Sequence, residues 1–313
     1  MKHLKRLSLA LAVLMLLTAL SGCGSTSSGT QTEEKAAPAA SAEPHPLKVL
    51  VPEAPGSECS AGEDYSIDYS NRSQGYVMVR YSGSAVKAKV QITTPKGMTC
   101  TYTLAPSEAY AAFPLQDGSG SYTVNVLENA YDDYYAVLDS QNIDVTLADE
   151  FLPFLYPNLY VSFAEGSGTV ELAEELAASA GGDLGYLTEV YHYVIRNIKY
   201  DTQKAENIPA DYIPDLDETI ATGKGICFDY ASLMAGLLRS GGIPTKLVFG
   251  YSGSAYHAWI SVYITELGWL DKVIEFDGQG WKLLDPTYAA ANSEKAVKKY
   301  VGDGSSYTVK YYY

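Results

Sequence analysis

The sequence predicts an α+β protein, with a small all-β front part followed by helices and then an antiparallel sheet. Three observations predict it. Between residues 49 and 150, apolar and polar residues alternate in short runs broken by Pro, Gly, Asp and Ser, the period-2 signature of half-buried strands. From residue 169 the apolar residues recur at helical spacing. After residue 245 the alternation returns in consecutive runs, and helices followed by sequential strands favour antiparallel pairing.

In the front part, GYVMVRYSG (75–83) puts Val77, Val79 and Tyr81 on one face. AKVQIT (88–93), TCTYTL (99–104), YTVNVLEN (122–129) and YYAVLDSQNIDVTL (134–147) alternate in the same way. This spacing suggests a sandwich-like domain over 49–150. It carries no catalytic cluster, which suits a spacer or docking module. EFLPFLYPNLYVSF (150–163), apolar and holding two prolines, reads as a connector.

The second domain is expected over 151–313. TVELAEELAASAGG (169–182) ends on glycines, a helix stop. DLGYLTEVYHYVIRNIKYD (183–201) opens on Asp183 as expected N-cap and lines up Leu187, Val190, Tyr191 and Val194. His192, in the middle of that helix, reads as a boundary residue. The next helix, ICFDYASLMAGLLRSGG, buries Leu233, Met234, Leu237 and Leu238. TKLVFGYS (245–252), YHAWISVYI (256–264), VIEFD (273–277) and GWKLLDP (280–286) read as strands, with SSYTVKYYY (305–313) as a final edge strand.

The first 22 residues form an expected signal peptide: Lys2, Lys5 and Arg6, then an apolar run from Leu7 to Leu20. That run is shorter than the roughly 20 residues needed to span a bilayer. Leu20-Ser21-Gly22-Cys23 resembles a bacterial lipobox, which implies acylation of Cys23. Acyl chains, at about 0.8 kcal/mol per buried CH2, would anchor the chain to a membrane. Residues 23–48, rich in Ser, Thr, Gly, Ala, Glu and Pro, are expected to be a disordered tether. An extracytoplasmic, lipid-anchored protein is the expectation.

Net charge is −15, and −18 once Lys2, Lys5 and Arg6 leave. That balance argues against nucleic acid as a partner. Cys59 and Cys100 share the β-rich part of an exported chain, so a disulfide between them is expected. Closing a loop of 41 residues would contribute roughly 4 kcal/mol. Cys227 is then left over, which flags a reactive thiol.

Cys227 stands at the start of its helix, behind Gly223 and Gly225. Helix N-termini carry partial positive charge and unpaired N–H groups, which lower a thiol pKa and can stabilise an oxyanion. His257 opens a strand and is a candidate base; Asp285 ends another and could orient it. Zinc ligation by the same three residues lacks CxxC or HExxH spacing, and no EF-hand loop supports calcium, so no cofactor or metal is expected. Asp229 reads as a dipole partner of the helix, Trp259 equally as a wall of the site or a core residue, and Tyr230 and Tyr256 as tyrosines near it by abundance.

The blocks GKGICFDYASLMAGLLRSGGIPTKLVFGY, YHAWISVY and GWKLLDPTY resemble, in order, the three motif blocks of the transglutaminase-like superfamily. The resemblance covers about 183–290 and more loosely 150–313. It implies a papain-like core with the Cys helix packed on an antiparallel sheet. It also implies a Cys227–His257–Asp285 triad that attacks amide carbonyls of protein or peptide substrates, cell-wall associated ones included, through a thioester. An amine resolving that thioester makes the enzyme a cross-linker; water makes it a cysteine protease or amidase. A non-catalytic surface protein using the fold as a scaffold is the reading from another class.

Overall fold

Alternation of small apolar runs builds the front of the molecule. The computed structural model describes residues 43–265, 267–271, 274–276, 281–283 and 307–313. Its first strands are β1 (Cys59–Ala61), β2 (Tyr65–Asp68), β3 (Tyr76–Tyr81), β4 (Ala88–Thr93), β5 (Thr99–Leu104), β6 (Ser107–Pro114), β7 (Gly120–Tyr131) and β8 (Tyr134–Val145). They form two four-stranded antiparallel sheets, ordered β1-β2-β3-β6 and β5-β4-β7-β8. Register sets Val90 opposite Tyr102 and Val126, all facing inward. They join Ile67, Val77, Val79 and Phe113 of the other sheet in one core. Each such side chain contributes about 1.5–3 kcal/mol of burial. At the β7–β8 turn Asp132 takes a left-handed φ of 47°, and Asn129 Nδ2 donates to its carbonyl at 2.7 Å.

The disulfide expected between Cys59 and Cys100 is not formed; both thiols are free. β1 and β5 belong to different sheets. Cys59 is exposed, its Sγ 3.6 Å from the Gly56 carbonyl oxygen. Cys100 points into the core, where Gln116 Nε2 donates to its sulfur at 3.2 Å. Strand alternation sends the two sulfurs into different environments, which a count of cysteines does not reveal.

The connector lies along β6, where Leu159 N–H donates to the Ala112 carbonyl at 3.1 Å. Helix α1 (Gly168–Ala177) follows, capped by Ser167, whose side chain accepts from Val170 N–H. α2 (Gly182–Asn197) starts one residue before the expected N-cap. Gly182 has a φ of 71°, which favours glycine, so Asp183 falls inside the first turn. The expected tether also ends early. His45 is buried, stacks on Tyr186 at 4.7 Å, approaches the Gly241 carbonyl through Nε2 at 2.7 Å and faces Asp183 at 3.6 Å.

α3 (Thr202–Asn207) and α4 (Leu216–Thr222) are short and capped by Asp201 and Asp215. Between them and the next helix run β9 (Lys199–Tyr200) and β10 (Lys224–Gly225), paired parallel. α5 (Cys227–Ser240) is buried almost throughout. Its apolar side chains pack on α1, α2 and the last large sheet, made of β11 (Thr245–Ser252), β12 (Ala255–Ile264), β13 (Gly268–Leu270) and β16 (Tyr307–Tyr312). The order is β13-β12-β11-β16, all antiparallel, so the final segment lies at an edge as expected. β14 (Ile274–Phe276) and β15 (Trp281–Leu283) make a separate antiparallel pair rather than extending that sheet.

Candidate active site

The start of α5 is held by backbone and by glycines. Gly223 ends α4 in the left-handed region at a φ of 60°. Lys199 N–H donates to the Gly223 carbonyl and Asp201 N–H to the Gly225 carbonyl, both at 2.9 Å. A Cβ on Gly225 would lie 2.6 Å from Cβ of Asp229, so only glycine lets the chain pass there. Ile226 is extended, and Cys227, half-buried, is the first helical residue. The thiol therefore sits where helix N–H groups and the positive end of the dipole favour a thiolate.

Asp229 is fully buried. Its Oδ2 accepts from Ile226 N–H at 2.7 Å and lies 2.8 Å from Lys204 Nζ; its Oδ1 accepts from Tyr212 Oη at 2.5 Å. Lys204 Nζ also donates to Tyr212 Oη at 2.6 Å. Burial, then the bond to Asp229, raises the Tyr212 phenol well above its ordinary pKa, so it stays a donor. The role expected for Asp229, a partner of its own helix, is what these contacts describe. Lys204 and Tyr212 escaped sequence reasoning because KAENIPADYIPD has no periodicity; an acid at the third helical position was the only signal.

Tyr230 donates to the Ile198 carbonyl at 2.5 Å inside the core. Phe228 meets Phe249 and Tyr160 edge to face, with ring centroids at 4.9 and 5.4 Å. Phe249 stands opposite Ala258, so this is the face of the sheet that α5 covers. Alternation gives Tyr256 the same face, its ring 6.2 Å from Phe249. The Tyr256 phenol is raised above its ordinary pKa by burial, then by Tyr311, Tyr251 and the Cys227 thiol. The His257 ring lies 6.4 Å from that of Trp259, centroid to centroid, and Trp259 is a core residue packed over Gly250. The fold thus carries the end of β12, with Tyr256 and His257, towards the start of α5. His192 is half-buried on α2, a boundary residue. Asp285 and Cys23 lie outside the described residues.

Among the described residues, no group of three His, Cys, Asp or Glu side chains converges as a metal site. A polar cleft of about 870 Å³ opens beside Lys204 and Tyr212, lined also by Glu218 and Lys224. An apolar one of about 750 Å³ lies between β6, the connector and the start of α4.

Residues 170–286 match the family model of the Transglutaminase-like superfamily. A stretch of 84 residues is 33% identical to a protein-glutamine gamma-glutamyltransferase of Pseudomonas aeruginosa, covering 22% of this chain and 11% of that protein. Another of 93 residues is 32% identical to the uncharacterized protein YebA of Bacillus subtilis, covering 22% and 12%. The chain thus spans 11–12% of the length of these curated relatives. A solved structure from Cytophaga hutchinsonii, assigned as a cysteine protease, aligns over 81% of this chain and 78% of its own, with 13% identity and a TM-score of 0.35.

Proposed function

We propose that the chain is an extracytoplasmic cysteine enzyme, lipid-anchored through Cys23, that acts on amide bonds of proteins or peptides. Cys227 is the nucleophile, His257 the base and acid, and Asp285 the group that orients His257. The observation that carries this reading is the half-buried thiol at the first position of α5, inside the segment that matches the superfamily.

In the proposed reaction His257 takes the thiol proton and the thiolate adds to the amide carbonyl. The developing oxyanion is stabilised by N–H groups at the helix start. The C–N bond breaks, the leaving amine or ammonia takes the proton from His257, and a thioester on Cys227 remains. A second amine then attacks, giving a new amide, or water attacks, giving an acid; the thiol is restored in either case. The glutamyltransferase name of the Pseudomonas relative favours the amine.

The test uses the full-length protein with a glutamine-containing peptide and a fluorescent primary amine, monitoring amine incorporation and peptide hydrolysis together. Cys227→Ala should abolish both, and the wild-type product ratio assigns the acceptor. Activity that survives in Cys227→Ala, or no product with any peptide while binding persists, turns the reading towards a scaffold. Release of Cys23→Ala from the membrane fraction tests the anchor.

A further inference from the structure

The cluster behind the first turn of α5 is larger than helix capping requires. One acceptor satisfies an orphan N–H, and Asp229 supplies it to Ile226. Yet Asp229 is also fully buried against a lysine at 2.8 Å and a phenol at 2.5 Å. Buried ion pairs are weak devices for stability, since apolar replacements often do as well, and their best-attested use is to fix one arrangement. The arrangement held here is the stretch 225–229. The segment that carries Lys204 grips it twice, through the backbone bond from Asp201 to Gly225 at 2.9 Å and through the Lys204 side chain.

The charges matter as well as the geometry. Asp229 follows Cys227 by two positions, so the two side chains leave the helix in different directions and Asp229 cannot itself be the base. Its negative charge nonetheless opposes a thiolate in the same turn. Lys204 offsets that charge, and Tyr212 disperses it through a hydrogen bond. Other ionisable groups nearby are Tyr256 from β12, with Tyr251 and Tyr311 behind it, and His257, the next residue on that strand. Tyr230 with Tyr200 and the acids Glu218 and Asp215 flank the cluster, and Asp201 and Lys224 share its cleft.

We propose that Lys204 and Tyr212 are positioning residues for the nucleophile: through Asp229 they fix the first turn of α5 and keep the field at Cys227 favourable to the thiolate. The proposal rests on the reading of Cys227 as the nucleophile.

The experiment is the pH profile of iodoacetamide alkylation of the full-length protein, followed on the Cys227 peptide by mass spectrometry, with circular dichroism to confirm folding. In wild type the midpoint should lie well below the free-thiol value of about 8.5. Lys204→Met, which leaves Asp229 unbalanced, should raise it by about one pH unit. Tyr212→Phe should raise it by less. Asp229→Asn, which leaves Lys204 unbalanced, should lower it, and the Lys204→Met/Asp229→Asn pair should return it towards wild type. A purely structural role would not give shifts of opposite sign that cancel. If Lys204→Met does not fold, Tyr212→Phe and Asp229→Asn decide alone. An acidic wild-type midpoint that none of the folded variants moves overturns the role of the cluster and leaves the nucleophile standing. A wild-type midpoint near 8.5 overturns the reading of Cys227 itself, and this proposal with it.

Discussion

Arg239 Nη2 donates to the main-chain oxygen of Tyr313 at 2.7 Å, tying the far end of α5 to the last strand of the sheet. The guanidinium is fully buried, and its other bonds run from Nε to the Thr245 carbonyl and from Nη1 to the Tyr156 carbonyl, both at 2.9 Å. One side chain therefore joins the helix to β11, the connector and β16. Arg239→Ala should cost about 3 kcal/mol or more by urea unfolding, since it leaves a cavity and strips three carbonyls of a donor. Arg239→Met, which fills the space without a buried charge, should cost less. Equal losses for the two would mean that filling the space adds nothing and that the lost hydrogen bonds account for the cost.

The free state of Cys59 and Cys100 makes a second expectation. A reductant should leave the thermal midpoint unchanged, and Cys59→Ser, on the surface, should stay within about 0.5 kcal/mol of wild type. A fall of several kcal/mol in either experiment would reveal a bridge.

Cys100 also sets a pH dependence. Burial, the largest cause, lifts its thiol from 9.0 to about 11, against smaller lowering by hydrogen bonds from Gln116 and Tyr313. The folded pKa is above the unfolded one, so the unfolded chain loses the proton first. This contribution, about 3 kcal/mol, is complete below pH 9.0 and is lost as pH rises to about 11. Tyr81, lifted by burial and by Glu128 to about 12, extends the decline upward. Urea midpoints measured across this range should fall, and Cys100→Ala should flatten the lower part of the curve. A variant curve parallel to wild type would remove the thiol from the account.

Gly250→Ala should be severe. A Cβ there would sit 2.0 Å from the Thr308 carbonyl oxygen and 2.8 Å from the Trp259 ring. Backbone cannot yield as a flexible side chain does, so β16 must move away from β11, and a loss of about 3 kcal/mol or more is expected in thermal unfolding. A near-neutral variant would mean that the β11–β16 pairing is looser than its register.

Much of this architecture is legible in the sequence because burial follows period. Val90, Ile92, Tyr102 and Val124 alternate with polar residues and point inward, and Leu233, Met234, Leu237 and Leu238 are buried as their spacing indicates, although α5 is buried on its other sides as well. The glycines before Cys227 marked the turn that starts its helix. What stayed hidden depends on contacts between distant residues. His45 lies in a stretch of tether-like composition, yet it is buried by stacking on Tyr186 and by hydrogen bonds to the Ala177 and Gly241 carbonyls. Lys204 and Tyr212 belong to a proline-broken segment whose partner, Asp229, is supplied by another helix. Tyr256 precedes the histidine that the motif singles out, and only strand pairing shows which of the two shares a face with Phe249.

The place of β16 has a consequence in time. β11 pairs with β12 across a tight turn, but its other edge waits for Tyr307–Tyr312, the last strand along the chain. Contacts of such long sequence separation form slowly. During synthesis, α5 and the first hairpin of the sheet emerge well before that strand, with a bare edge on β11 and Arg239 short of one acceptor. A ribosome-stalled or truncated chain ending before Tyr307 would be arrested in that half-closed condition, open to edge-to-edge pairing with its neighbours.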